Sequence, residues 1–200
     1  MLILGINGSP RKKGSTSFLI GAGLEKAAEQ GCETREIFVT DIMSGQKNPF
    51  CRHCLPKCDG RCYRDTDLEG AYQELSRADG LIMGSPVYFG TVSAQLKGFW
   101  DKTRSLRSQK SLVNTVGGVV TAGAALFGGQ ETTAKALFDM MLIHGMTIVG
   151  DGLDEADAGH HGALATAPVK EKDHAAAARA RILAQRIVEV AEATQKLRAK

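Results

Sequence analysis

The chain has no apolar run near the roughly 20 residues needed to span a bilayer. No basic stretch precedes its first apolar residues, so the pattern of a secretory signal is missing. Aromatic residues are scarce, at 6% with a single tryptophan. Charge of one sign is also lacking: the net charge is +3, too mild to mark a nucleic-acid surface. No lysine stands where a Walker A loop needs one, and no GxGxxG fingerprint occurs. Internal repeats and low-complexity linkers are absent, so the 200 residues read as one domain, 1–200, with room for a sizeable core. The expectation is a cytoplasmic protein with neither membrane nor nucleic acid as a partner. What remains is 43% hydrophobic residues, 24% charged residues and 23 glycines clustered beside apolar runs. Cysteines are few, at five, yet four of them fall between positions 51 and 62. A cytoplasmic chain does not use such a cluster as a disulfide framework, so metal or redox chemistry is indicated.

Short apolar runs alternate with helical patterns. Strands are expected at Leu2–Asn7, Thr34–Val39, Gly80–Gly84, Val116–Thr121 and Met146–Val149. Helices are expected from Ser15, at about 68–77, 93–106, 130–144 and 173–197, with hydroxyls of Ser15, Thr16 and Ser17 offered as caps. Residues 43–66 read as a cysteine-rich insertion, and 151–172 as mostly loop. This alternation predicts an α/β fold with a doubly wound, five-stranded parallel sheet. Such sheets bind ligands beyond the carboxyl ends of their strands, where the loops 8–17, 84–91 and 121–130 converge.

The first of these loops, Gly8 to Ser17, joins a strand to a helix. Its small residues, the hydroxyls of Ser9, Ser15, Thr16 and Ser17, and the helix N-terminus suit a phosphate monoester. A helix cap within a basic turn is the other reading. In the second loop, Pro86, Val87, Tyr88, Phe89 and Gly90 offer flat and aliphatic groups to a planar ring such as an isoalloxazine. In the third, Thr121, Ala122, Gly123, Gly128, Gly129 and Gln130 let the backbone approach that ring closely. Alternatively, Tyr88 and Phe89 complete the core.

Four motifs in this order carry a resemblance: Gly8-Ser-Pro-Arg11 with Gly14-Ser-Thr16, Gly84-Ser-Pro-Val-Tyr-Phe-Gly90, Gln95-Leu-Lys-Gly-Phe-Trp-Asp101 and Gly128-Gly-Gln-Glu-Thr-Thr133. Together they resemble the flavodoxin-like NAD(P)H-dependent FMN reductase family over residues 1 to about 150. The four-cysteine segment resembles its iron–sulfur flavoprotein branch, although there the first three cysteines lie closer and the fourth farther away. The resemblance implies a flavodoxin-like fold, bound FMN and a homodimer or homotetramer. It implies that Ser9, Arg11, Ser15, Thr16 and Ser17 hold the FMN phosphate, while Pro86–Gly90 and Thr121–Gln130 frame the ring.

Cys51-x2-Cys54-x3-Cys58-x3-Cys62 places four thiols within twelve residues. Thiolates are the usual ligands of iron–sulfur clusters, and a compact run can wrap one [4Fe–4S] cubane. Lys47, Arg52, Lys57, Arg61 and Arg64 face only Asp59 in this stretch, which suits an anionic cluster. Tetrahedral zinc accepts the same four ligands, and a metal-free thiol cluster is a third reading. His53 reads as a solvated loop residue and Cys32 as a small buried one.

Lys97, Lys102, Arg104, Arg107 and Lys110 stand against Asp101 alone. They form either a solvated helix face or a dock for ferredoxin, another small electron carrier or NADPH phosphates. Asp151, Asp154, Glu155, Asp157, His160 and His161 form an acidic loop, read as a surface or subunit-contact loop or a divalent-metal site. The function expected is an FMN-dependent oxidoreductase passing electrons between a [4Fe–4S] cluster and FMN, with the chemistry carried by the cofactors. A NAD(P)H-dependent reductase of flavin, quinone or another small acceptor is the alternative, and a redox-sensing binding module the second.

Overall fold

A computed structural model describes residues 1–155, 157–169 and 173–198. Six parallel strands form one sheet: β1 (Leu2–Asn7), β2 (Glu33–Phe38), β3 (Gly80–Pro86), β4 (Val116–Gly123), β5 (Thr147–Ile148) and β6 (Gly162–Thr166). Their order is β2-β1-β3-β4-β5, with β6 also paired to β4. Helices α1 (Ser15–Glu29), α2 (Val39–Ser44), α3 (Asp67–Arg77), α4 (Ala94–Lys102), α5 (Arg104–Ser108), α6 (Gln130–Leu142) and α7 (His174–Ala193) cover its two faces.

Strand alternation sorts the core into two layers. Leu2, Leu4, Ile6, Leu81, Met83 and Val119 join the layer under α2, α3, α4 and α6. Ile3, Ile82, Val116 and Val120 join the layer under α1 and α7. Strands buried on both faces carry apolar side chains at consecutive positions, which is why β1 and β3 read as continuous runs. The edge strand β2 instead exposes Glu33 and Arg35, charges that deter pairing with another sheet edge.

The fifth sheet position departs from expectation. β5 covers only the first residues of β4, pairing Val116 with Thr147 and Gly117 with Ile148. The chain then leaves the sheet and returns as β6, pairing Val119 with Gly162 through to Gly123 with Thr166. The expected loop 151–172 therefore contains a strand; its residues 156 and 170–172 lie outside the described residues. Gly162-Ala-Leu-Ala-Thr166 was unrecognisable as a strand because small side chains give almost no β signal. They suit a position beneath α7, where Ala163 and Ala165 pack against Ala176, Ala180 and Leu183.

Arg179 of α7 closes the excursion between β5 and β6. It bridges Asp157 at 2.7 Å and the fully buried Asp151 at 3.3 Å, while Asp151 also accepts from the His160 amide. Two of the acidic loop's carboxylates are thus held by an internal arginine.

Two smaller differences also have physical causes. The expected helix 93–106 breaks at Thr103 into α4 and α5. The cap of α1 is Gly14, not a hydroxyl residue, so Ser15, Thr16 and Ser17 form its first turn.

His144, just beyond α6, lies edge-on to Trp100 with ring centroids 5.0 Å apart. The Thr103 hydroxyl donates to the Trp100 carbonyl at 2.6 Å and so accepts from His144 Nε2 at 2.9 Å. That leaves Nδ1 buried without a partner among the described residues. Burial, and secondarily the Arg107 charge, lowers this imidazole from 6.5 to about 4. The unfolded chain therefore binds the extra proton between those values, and stability falls as pH drops from 6.5 to 4. After allowance for solvent screening, the expected loss is roughly 2 kcal/mol. Urea unfolding at pH 7 and 4.5 tests this, with His144→Asn as the control that should flatten the difference. A His144 titration midpoint near 6.5 by NMR would refute it.

Candidate functional site

The loops after β1, β3, β4 and β6 meet at the carboxyl edge of the sheet and are laced together through backbone groups. The Gly8 amide donates to the Gly84 carbonyl at 2.8 Å, Val87 to Ala122 at 3.0 Å and Ala167 to Gly123 at 2.7 Å. Gly8 permits the first contact: a Cβ there would lie 2.7 Å from the Leu96 Cβ.

Asn7 shapes the first loop. Its side-chain oxygen accepts from the Ser9 amide at 2.9 Å, a local turn that asparagine favours. Its Nδ2 donates to Ser17 Oγ at 2.8 Å and to Glu36 Oε1 at 2.7 Å. Burial raises the Glu36 carboxyl above its usual range, and the Asn7 donor partly offsets that. The loop ends at Gly14, and among the described residues no side chain caps the amides of α1. No acidic residue occupies the first turn of α1, while Arg11, Lys12 and Lys13 stand exposed around it. An uncapped helix start in a cationic setting is a ready anion site.

A cavity of about 140 Å³ opens there, lined by Ser9, Arg11, Gly14, Ser15, Thr16, Pro86, Val87, Tyr88, Ala122, Ala124 and Ala167. Four of the five expected phosphate residues and four of the expected ring residues, Pro86, Val87, Tyr88 and Ala122, therefore share one wall. Ser17 does not join them: its hydroxyl donates to the Arg11 carbonyl at 3.2 Å and accepts from Asn7. Thr121 is fully buried and donates to the Gln130 carbonyl at 3.3 Å, so it shapes the loop from beneath. Gly129 and Gln130 instead line a broader depression of about 490 Å³ with Leu126, Phe127 and Thr166.

Tyr88 and Thr91 exchange backbone hydrogen bonds across Phe89 (φ 50°) and Gly90 (φ 79°). Positive φ at both central positions is the geometry of a tight two-residue hairpin turn. The turn thrusts Phe89 fully into solvent, so it does not complete the core, the alternative reading of this residue. Phe127, at φ 57°, is 95% exposed on the neighbouring loop. Thr132 ties the two loops by donating to the Gly90 carbonyl at 2.7 Å. Gly129 (φ 103°) allows this approach, because a Cβ would meet the Gly90 Cα at 2.8 Å. Bulky residues in this backbone region carry a cost near 1 kcal/mol or more and concentrate at functional rims.

Residues 45–66 carry the four cysteines without helix or strand. Cys54 and Cys62 are exposed, Cys51 and Cys58 half-buried, and all four thiols are free. Among the described residues, no three His, Cys, Asp or Glu side chains stand close enough to hold a metal ion. Burial first, then the charges of Cys62, Tyr63, Cys51 and Cys58, hold the Tyr72 phenol well above its ordinary value. The donor set itself fits a metal that takes four thiolates. Cys32 is buried elsewhere, its thiol raised by desolvation.

The basic stretch 97–110 is in part a solvated face, with Lys97, Arg107 and Lys110 exposed. Lys97 pairs with Asp101 at 2.6 Å, Lys102 is buried, and Arg107 donates to the Ile143 carbonyl at 3.0 Å. Arg104 reaches the Leu55 and Pro56 carbonyls of the cysteine segment at 2.7 and 2.5 Å. Sequence reasoning missed this role, and it also missed Asn7, Ser93 and Ala167. Only Asn7, an amide between a buried strand and a glycine, carried a readable turn signal.

Among known proteins, an iron–sulfur flavoprotein of Methanocaldococcus jannaschii is 39% identical over 98% of this chain and 100% of its own length. A NAD(P)H dehydrogenase (quinone) of Chromohalobacter salexigens is 41% identical over 38% of each chain. The flavodoxin-like, WrbA-like protein of Agrobacterium tumefaciens shares the fold, with TM-score 0.68 and 21% identity over 96% of this chain and 98% of that one. No helix among the described residues is long and apolar enough to cross a membrane. Residues 1–158 match the NADPH-dependent FMN reductase family, and with the near full-length relative they establish that the chain belongs to it, on the iron–sulfur flavoprotein branch.

Proposed function

We propose that this FMN-dependent oxidoreductase passes electrons between FMN in the cavity at the sheet edge and a [4Fe–4S] cluster held by Cys51, Cys54, Cys58 and Cys62. FMN exchanges one or two electrons, whereas a cubane normally exchanges one, so together they convert between the two regimes. The observation that carries the reading is the placement of α4. At its start, Ser93 caps the helix by accepting from the Leu96 amide and donates to the Gly8 carbonyl at 2.6 Å. At its end, Lys102 and Arg104 grip the cysteine segment. Nine helical residues span roughly 14 Å, so one rigid element separates the two sites.

In this reading the free amides of α1, with Ser9, Ser15, Thr16 and Arg11, bind the FMN phosphate by charge-assisted hydrogen bonds. Ser17 and Thr121 hold the loops that do so. Pro86, Val87, Tyr88, Phe89, Gly90, Ala122, Gly123, Gly128, Gly129 and Gln130 frame the ring. NAD(P)H, or ferredoxin or another small electron carrier, supplies the electrons, and a small molecule accepts them. The exposed Phe89, Leu126 and Phe127 support assembly into a homodimer or homotetramer that covers this rim.

A second reading is a NAD(P)H-dependent flavin or quinone reductase with a zinc-bound or structural cysteine segment, and the 41% identity to a NAD(P)H dehydrogenase (quinone) over 38% of each chain favours it. Anaerobic purification with FMN, iron, zinc and acid-labile sulfide quantified per chain decides between them. About four irons and four sulfides beside one FMN are expected of a cubane flavoprotein. FMN with zinc, or with no metal, would overturn the cluster and advance the second reading.

A further inference from the structure

The cysteine segment rests on the junction of α4 and α5. Gly98 lets it approach: a Cβ there would meet the Pro49 carbonyl oxygen at 2.9 Å. Arg104 holds the carbonyls of Leu55 and Pro56, midway between Cys54 and Cys58. Tyr63, next to Cys62, donates to Ser105 Oγ at 2.6 Å. Amid these contacts lies Lys102, only 2% exposed. Its ammonium donates to Gln46 Oε1 at a long 3.3 Å. Among the described residues it meets no second acceptor and no carboxylate within ion-pairing distance. The adjacent Asp101 is turned outward to Lys97.

A buried charge left unpaired is strongly destabilising, whereas an apolar side chain of the same length would fill the space without that penalty. An anionic group bound beside it would supply the balancing charge. The segment folded over Lys102 offers four thiols, and four thiolates around either [4Fe–4S] or zinc leave a net negative group.

We propose that Lys102 is the buried counter-charge of the anionic four-thiolate metal group formed by Cys51, Cys54, Cys58 and Cys62. The inference rests on the reading of that segment as a metal site. A lysine in this position would stabilise the loaded segment at the expense of the metal-free chain. It would also hold the cluster's potential higher than an apolar residue would, since reduction adds negative charge beside it.

The test compares wild type, Lys102→Met and Lys102→Arg, each metal-free and each loaded anaerobically with iron and sulfide. Metal-free Lys102→Met is expected to unfold at a urea concentration equal to or above that of metal-free wild type. Loaded Lys102→Met should release iron to a chelator at least tenfold faster, with a cluster midpoint potential shifted to more negative values. Lys102→Arg should restore both. If Lys102 is only a prop for Gln46, Lys102→Met will be less stable metal-free, or fail to fold, and any cluster will keep its release rate and potential; that result overturns the proposal. A wild-type chain that binds neither iron nor zinc overturns the metal-site reading, and this inference with it. A wild-type chain that binds only zinc overturns the cluster alone, and the tenfold release criterion then applies to zinc.

Discussion

Replacing Ser15 by aspartate is expected to abolish tight FMN binding while leaving the fold intact. Ser15 is the first residue of α1, follows the uncapped Gly14 and lines the cavity with Ser9, Arg11 and Thr16. A carboxylate at this position faces the positive end of the helix and can accept its free amides. By itself that stabilises the chain by about 0.3–1 kcal/mol. The same carboxylate takes the place meant for a phosphate dianion. It removes a hydroxyl donor, a loss of about 1.5–3 kcal/mol for a bond to a charged group, and adds like-charge repulsion. At tenfold per 1.4 kcal/mol, the dissociation constant should rise by roughly 100- to 1,000-fold. Titration of the flavin-free chain with FMN, followed by flavin fluorescence, measures it. Riboflavin lacks the phosphate and serves as the internal control, since its weaker binding should hardly change. Ser15→Ala removes the hydroxyl without adding charge, so it loses both the phosphate donor and the Val169 amide contact that Ser15 Oγ accepts at 3.2 Å, and separates those losses from the repulsion. Equal weakening toward FMN and riboflavin would place the phosphate elsewhere.

The loops that make this site were readable because they follow the strongest strands. Leu2–Ile6 and Gly80–Met83 are apolar without interruption, and the small polar residues after each can only be turns. Strand ends in a parallel sheet all point one way, so convergence followed from the fold class alone. The direction of individual side chains did not. Ser17 and Thr121 have the chemistry of ligand-binding hydroxyls, yet each is satisfied within the protein, by Asn7 and Arg11 in one case and Gln130 in the other. Core packing was an open alternative for Phe89, but the two-residue turn at Phe89-Gly90 points it outward. β6 escaped notice because Ala163 and Ala165 are too small to signal burial on their own. Lys102 and Arg104 looked like part of the solvated face around them because charge patterning in sequence cannot reveal an amide or a backbone carbonyl as the partner. Arg104 meets two such carbonyls 48 and 49 residues away along the chain.

Removing one cysteine of the segment should produce the other large effect. Cys58→Ser is expected to retain about one FMN per chain and to fall from about four irons to fewer than one after anaerobic purification. Cys58 is half-buried and lies just beyond the carbonyls that Arg104 holds, so its place is fixed by the protein rather than by the metal. A hydroxyl there ligates iron poorly, and a cubane that loses one of its four thiolates loses the attachment of one iron. The flavin cavity contains none of residues 45–66, so its occupancy should not follow the loss. Cys32→Ser is the matched control. That thiol is buried in the layer beneath α1 and α7, away from the segment, so the variant should lose a little stability and no iron. Zinc would behave differently, because a tetrahedral site can keep three thiolates and accept water as the fourth ligand. Cys58→Ser would then retain part of its metal, with weakened affinity. Retention of FMN with loss of iron also bears on catalysis, since it separates the two electron carriers within one fold. Such a chain should still accept electrons at the flavin from NAD(P)H, whereas reduction that enters through the cluster should slow at least tenfold. Unchanged iron in Cys58→Ser would remove this cysteine from the ligand set.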